Sequence, residues 1–211
     1  SIVQSVGYDN PNFSHFRATD IWNSGDTREN RRERVKTGWM GRYLETEYPG
    51  YPDAYPNDEM PDPLAIQIGS VASLAFQGPA FPMAMTIRDP LSFYNFLEDI
   101  QDPVPNTPWG KELTYIRQIM GTTERYSLAI KAAAEKVTSQ GSYNTNDLAQ
   151  QLKIVARLVA GGLKTRVYMV STGGFDTHAG QVDALDTTTG SHARLMAKIS
   201  DSVKSFMDDF I

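Results

Sequence analysis

The chain has 211 residues, of which 40% are apolar and 21% charged, and a net charge of -5 at neutral pH. This length supports one domain with its own core, the composition argues against a disordered chain, and the acidic balance gives no support for the basic face that nucleic acid requires. No apolar run approaches the roughly 20 residues of a membrane-spanning helix. There is no cysteine, so disulfides and thiolate ligands are excluded and any metal must be held by oxygen and imidazole. Only His15, His178 and His192 can supply imidazole.

In chain order, residues 1–6 (SIVQSV) read as a short strand rather than a leader, closed by the turn-rich GYDNPN. A short helix is predicted from Ser14 to about Gly25, with Phe16, Ile21 and Trp22 as its apolar positions. Residues 26–36 mix both charge signs and read as a solvated surface. GWMGRYLETEY predicts a helix ending before Pro49. The stretch 49–63 holds five prolines and reads as an Ω-like loop whose tyrosines pack it onto the body. LAIQIGS predicts a strand, and SLAFQGPAFPMAMTI a hairpin or an edge strand broken by proline. DPLSFYNFLEDI predicts a helix with Asp89 as N-cap and Pro90 at its first position.

The second half is more periodic. Residues 110–137 predict a long helix with a break at Gly121, using Leu113, Ile116, Ile119, Met120, Leu128 and Ile130. Residues 145–162 predict another, with Leu148, Leu152, Val155, Leu158 and Val159 on one face and an end at Gly161-Gly162. TRVYMVS reads as a strand buried on both faces. The closing helix should turn Leu195, Ile199, Val203, Phe206 and Phe210 inward. This alternation predicts a single α/β domain over residues 1–211, a layered sandwich with a mostly parallel central sheet. Starting on a strand and stopping on a helix suggests an excised portion of a longer protein, so the sandwich is expected to be incomplete and this chain inactive by itself.

Sites in open α/β sheets form beyond the carboxyl ends of the strands, and two loops qualify. In GYDNPNFSHF, Ser14 sits at a predicted helix start, where free backbone N–H groups and the helix dipole favour an anion. Ser14, or Asn12, also suits an ordinary N-cap there. In STGGFDTHAGQ, Gly173 and Gly174 allow a sharp turn, and Asp176 and His178, two apart in an extended segment, point the same way and could bind one divalent cation; equally, Asp176 suits a turn cap and His178 a single hydrogen bond. Zinc wants at least three protein ligands. His192, at the start of the last helix, is a candidate third ligand, a partner to one, or a surface residue. No GxSxG elbow, phosphate-binding P-loop or dinucleotide signature is present.

The motifs VGYDNPNFSHFRATDIW, GWMGRYLE, PLAIQIGS and STGGFDTHAGQ, followed by SHARLMAKISDSVKSFMDDF, occur in that order. Together they resemble the large bacterial family of exported proteins called domain of unknown function fifteen-oh-one, grouped with the alkaline phosphatase and sulfatase superfamily. The resemblance implies an alkaline-phosphatase-like sandwich, export through a twin-arginine signal to the periplasm or outside the cell, and hydrolysis of phosphate or sulfate esters. It implies Ser14 as the nucleophile with His15 beside it. It also implies a divalent cation (zinc, magnesium or calcium) on Asp176 and His178, with His192 as a recurrent neighbour. The family's glycine-rich strand motif and its Asp-His-Gly motif are expected before residue 1 and after residue 211. The competing expectation is a non-catalytic exported binding or assembly protein on the same fold, motivated by the tyrosine- and proline-rich loop.

Overall fold

The computed structural model describes residues 7–8, 10–28, 34–91, 103–138 and 140–210. The strand expected over 1–6 and nearly all of the helix expected after Asp89 lie outside the described residues. Leu91 N does donate to Asp89 Oδ1 at 2.9 Å, as a cap would require. The described elements are α1 (His15–Ser24), α2 (Trp39–Glu47), β1 (Ala65–Ile68), a 3-10 turn (Leu74–Phe76), β2 (Ala84–Ile87), α3 (Pro108–Lys136), α4 (Asp147–Ala160), β3 (Val167–Met169) and α5 (Ser191–Asp208).

The three strands form an open, all-parallel sheet in the order β2-β1-β3, which is the α/β character expected. Strand alternation divides the core between two layers. Ile66 and Ile68 of β1, with Met85 and Ile87 of β2 and Tyr168 of β3, face α3 and α4 through Ile130, Ala133, Ala134, Val155 and Leu158. Ala65, Ala84, Val167 and Met169 face the other way, onto Leu44 of α2, Phe76, Met83 and the tyrosine loop. The strand buried along its whole length is β1, in the middle. β3 is half-buried, because it is an outer strand among the described three.

β1 and β2 are parallel and form no hairpin with each other, but a tight antiparallel turn does close over 76–83, with Gly78 N donating to Phe81 O and Met83 N to Phe76 O, both at 2.9 Å. A 3-10 turn capped by Ser73 and one isolated antiparallel bridge, Gln77 to Pro82, carry the chain round to a parallel edge strand. Tyr48, Tyr51 and Tyr55 of the proline-rich stretch pack on the second core layer, as the Ω-like loop reading requires. α3 runs unbroken through Gly121. One glycine costs a helix only about 1 kcal/mol, which the surrounding 29-residue element absorbs.

Two faces differ from expectation. Val203 on α5 and Phe210 just beyond its end are exposed, and the fully buried position of the helix is Ser202. Ser202 is accommodated there because its hydroxyl donates to Lys198 O at 2.6 Å and meets Asn146 Oδ1, the cap of α4, at 3.2 Å. On α4, Val159 is exposed and Ala156 is buried in its stead. The buried hydroxyls of Thr86, Tyr126, Thr165 and Tyr168 have no such answer among the described residues. Tyr126 on α3 is 2% exposed, and among the described residues its hydroxyl meets no hydrogen-bond partner.

Candidate functional site

The first loop builds a helix start in three steps. Asn12 Oδ1 accepts from Ser14 N at 3.0 Å, closing a turn ahead of the helix. Phe13 is forced into the left-handed region, with φ 56. Ser14 then stands extended as the N-cap of α1, its Oγ accepting from Arg17 N at 3.3 Å. That bond uses an acceptor lone pair and leaves the hydroxyl proton free to be donated. The helix ends where expected, on Gly25 with φ 67.

The inward face of α1 is polar. Phe16 is 87% exposed, while Arg17 and Asn23 are buried. Arg17 Nη2 donates to Asp26 O at 3.0 Å and Arg28 O at 2.8 Å, so the guanidinium closes the loop that follows the helix. Residues 26–36 are correspondingly more than a solvated surface, although 29–33 lie outside the described residues. Asp26 is buried and accepts from Arg28 Nε and Nη2, Arg28 N and Val35 N. The Arg28 guanidinium, helped by the Val35 amide, holds the Asp26 carboxyl well below the usual range.

The second loop leaves the carboxyl end of β3 and is tied down at its root. Gln151 of α4 exchanges two hydrogen bonds with the backbone of Ser171, at 2.7 and 2.9 Å. Lys198 of α5 is paired with Asp147 at the start of α4, and both reach Thr172 Oγ1. At its far end Gly180 O and Gln181 O accept from Ser191 N and His192 N, which fastens the loop to the start of α5. The turn uses Gly174 at φ 97, and His178 at φ 45. Phe13 and His178 are two of only three non-glycine residues with positive φ among those described, and backbone of that kind concentrates at functional sites.

The two loops meet. His178 Nε2 lies 2.9 Å from Asp176 Oδ2, and His15 Nε2 lies 3.4 Å from the same oxygen. All three side chains are more than half exposed, so these pairs are screened and each stabilises the fold by at most about 1 kcal/mol. Ser14 precedes His15 in the chain, and its Oγ bonds to neither imidazole. His192 enters by its backbone alone, through the bond to Gln181 O. Asp176 and His178 are in contact, but His178 at φ 45 does not have the extended backbone from which the spacing predicted it. The contact of His15 with Asp176 had no local signal, because 161 residues separate them.

The donor types suit a divalent cation, yet among the described residues no three His, Asp or Glu side chains are gathered as a metal shell. The imidazoles instead share one carboxylate oxygen, and His192 is not part of the cluster. Asp176 and His178 stand together, as the cation expectation requires, while His192 meets the loop through its backbone N–H. What the cluster can do by itself is hold and pass a proton beside the N-terminus of α1, whose first turn has no acidic residue of its own.

The root of the second loop depends on pH. Asp147 has its carboxyl lowered chiefly by Lys198. A lowered carboxyl contributes stability above its unfolded value, near 4, and that contribution is lost as pH falls through the folded value. The protection of the amides of residues 171–178, relative to their intrinsic exchange rates, is expected to fall below about pH 4 while that of α3 does not. Equal protection of the loop at pH 3 and pH 6 would contradict the anchoring. Comparison with models of known families, with curated proteins and with solved structures finds no match for this chain.

Proposed function

We propose that this chain carries the nucleophile side of a hydrolase site for phosphate or sulfate esters, on an alkaline-phosphatase-like sandwich in a periplasmic or secreted protein. The observation that carries the reading is the meeting of His15, Asp176 and His178 beside Ser14 at the start of α1. The order of the sequence motifs supports it as well. The ester anion docks on the free amides of the first turn. Ser14 Oγ attacks phosphorus or sulfur, forming one ester bond as the bond to the leaving alcohol breaks. The hydroxyl proton passes to an imidazole of the His15–Asp176–His178 cluster and from there to the departing alkoxide. Water then cleaves the seryl ester. Asp176 and His178 would hold the divalent cation that the resemblance implies, and that cation would supply charge stabilisation to the ester oxygens. Release of nitrophenol from p-nitrophenyl phosphate and p-nitrophenyl sulfate, with and without added zinc, magnesium or calcium, tests the reading. A full-length parent protein that cleaves neither ester under any of these conditions contradicts it.

A second reading, binding or assembly without catalysis, is favoured by Phe13 and Phe16, which are 94% and 87% exposed on either side of Ser14 and His15. Large apolar side chains left in water at a site suit contact with a partner. The tyrosine loop no longer motivates it, because those rings are spent on the core. Ester binding that survives Ser14 substitution with no turnover in the original chain is the outcome this second reading expects.

A further inference from the structure

A pocket of about 220 Å³ lies between α1, the segment 34–37 and Leu74 of the 3-10 turn. That is just under the roughly 300–1,000 Å³ of small-molecule sites, so a compact ligand fits. Its cations are fixed in place. Arg17 Nη2 and Arg34 Nε both donate to Arg28 O, each at 2.8 Å, which holds two guanidinium groups side by side. Lys36 adds a third cation at the exposed rim, against the single lining carboxylate of Asp20. Planar forks held in this way suit an oxyanion.

The uncharged groups add donors. Asn23 is 9% exposed and lines the pocket. Its Oδ1 accepts from Ser73 Oγ at 3.1 Å, while its amide NH2 meets no partner among the described residues. That nitrogen is not sealed off from water, so a ligand entering the pocket can reach it. Thr37 Oγ1 accepts from Arg42 Nη1 at 3.1 Å, which leaves its hydroxyl proton for donation. Asp20 can receive hydroxyls from a ligand, and its charge disfavours a doubly charged phosphate on the same lining. We infer that this pocket binds a small sugar acid, its carboxylate on Arg17 and Arg34 and its hydroxyls on Asn23, Thr37 and Asp20. Ser14, His15, Asp176 and His178 do not line it, so the assignment is independent of the ester chemistry proposed above.

Titration of the full chain with glucuronate, glucose, acetate and inorganic phosphate, read by amide chemical shifts at physiological salt, tests the assignment. Glucuronate is expected to bind about tenfold or more tighter than glucose, which lacks the charge, and than acetate or phosphate, which lack the sugar hydroxyls. The amides that move should be those of residues 23–24 and 34–37. Asn23→Asp keeps the acceptor for Ser73 and turns the pocket donor into a like charge, so glucuronate binding should be lost. Lys36→Gln should weaken glucuronate about fivefold and leave glucose unchanged. Lys36 is exposed, so that comparison stands even if Asn23→Asp fails to fold. The assignment is overturned if glucuronate does not bind, if glucose, acetate or phosphate matches it, or if Lys36→Gln leaves its affinity unmoved. Shifts confined to residues 14–17 would place the anion at the start of α1 and overturn it as well.

Discussion

Gly161→Ala is expected to lower the stability of the chain by about 3 kcal/mol or more, a large fraction of the 5–15 kcal/mol typical of a domain. The cause is steric. Gly161 closes α4 with φ -71, a conformation that alanine adopts freely. A Cβ there would stand 2.1 Å from Ala133 O and 2.9 Å from Ala133 Cα. Those atoms belong to the backbone of α3 and cannot rotate away, so the two helices must separate. That separation opens the layer containing Ile130, Ala134 and Leu158. Gly162→Ala is the control. Its φ of +90 makes alanine strained, but nothing lies within 4 Å, so the loss should stay near 1 kcal/mol. Urea unfolding of both variants checks the pair. Equal losses would mean that the close approach of α3 and α4 at Gly161 does not exist.

Ser14→Asn is expected to abolish ester hydrolysis, by about a thousandfold or more, without lowering the melting temperature. On the proposed reading two roles meet in one side chain, and the asparagine separates them. As a cap, Ser14 accepts from Arg17 N, and asparagine is as good an N-cap as serine. As a nucleophile, it needs an oxygen that can form an ester bond, which the amide lacks. Ser14→Ala removes both roles and should cost about 1 kcal/mol of stability in addition. Progress curves for the nitrophenyl esters, with a melting curve on each variant, read the two effects apart. Turnover retained in Ser14→Asn would remove Ser14 from the chemistry and leave the cap as its whole function.

Helix positions were legible in the sequence where local rules decide them. Ser14 and Gly25 bound α1, Asn146 caps α4, and the alternation along β1 divides two core layers. Faces were harder to read where a polar side chain finds a distant partner. Ser202 is buried because Lys198 O and Asn146 Oδ1 take its hydroxyl, and Arg17 because the carbonyls of Asp26 and Arg28 take its guanidinium. Apolar periodicity carries no trace of such bonds, so it assigned Val203 and Phe210 to the interior. The site shows the same division. The spacing of Asp176 and His178 is local and was visible. The approach of His15 to Asp176 depends on a sheet edge, a Gln151 clamp and the Asp147–Lys198 pair, none of which lies within fifteen residues of His15.

Everything proposed about the site depends on the two loops sharing one carboxylate. The most direct measurement follows the imidazole carbon and proton resonances of His15 and His178 by NMR in the original chain and in Asp176→Asn. Because both Nε2 atoms lie against Asp176 Oδ2, removing that charge should move the signals of both histidines, while those of His192 stay in place. A shift confined to His178, with His15 unmoved, would show that the loops do not meet and that Ser14 stands at a helix start with no proton acceptor beside it.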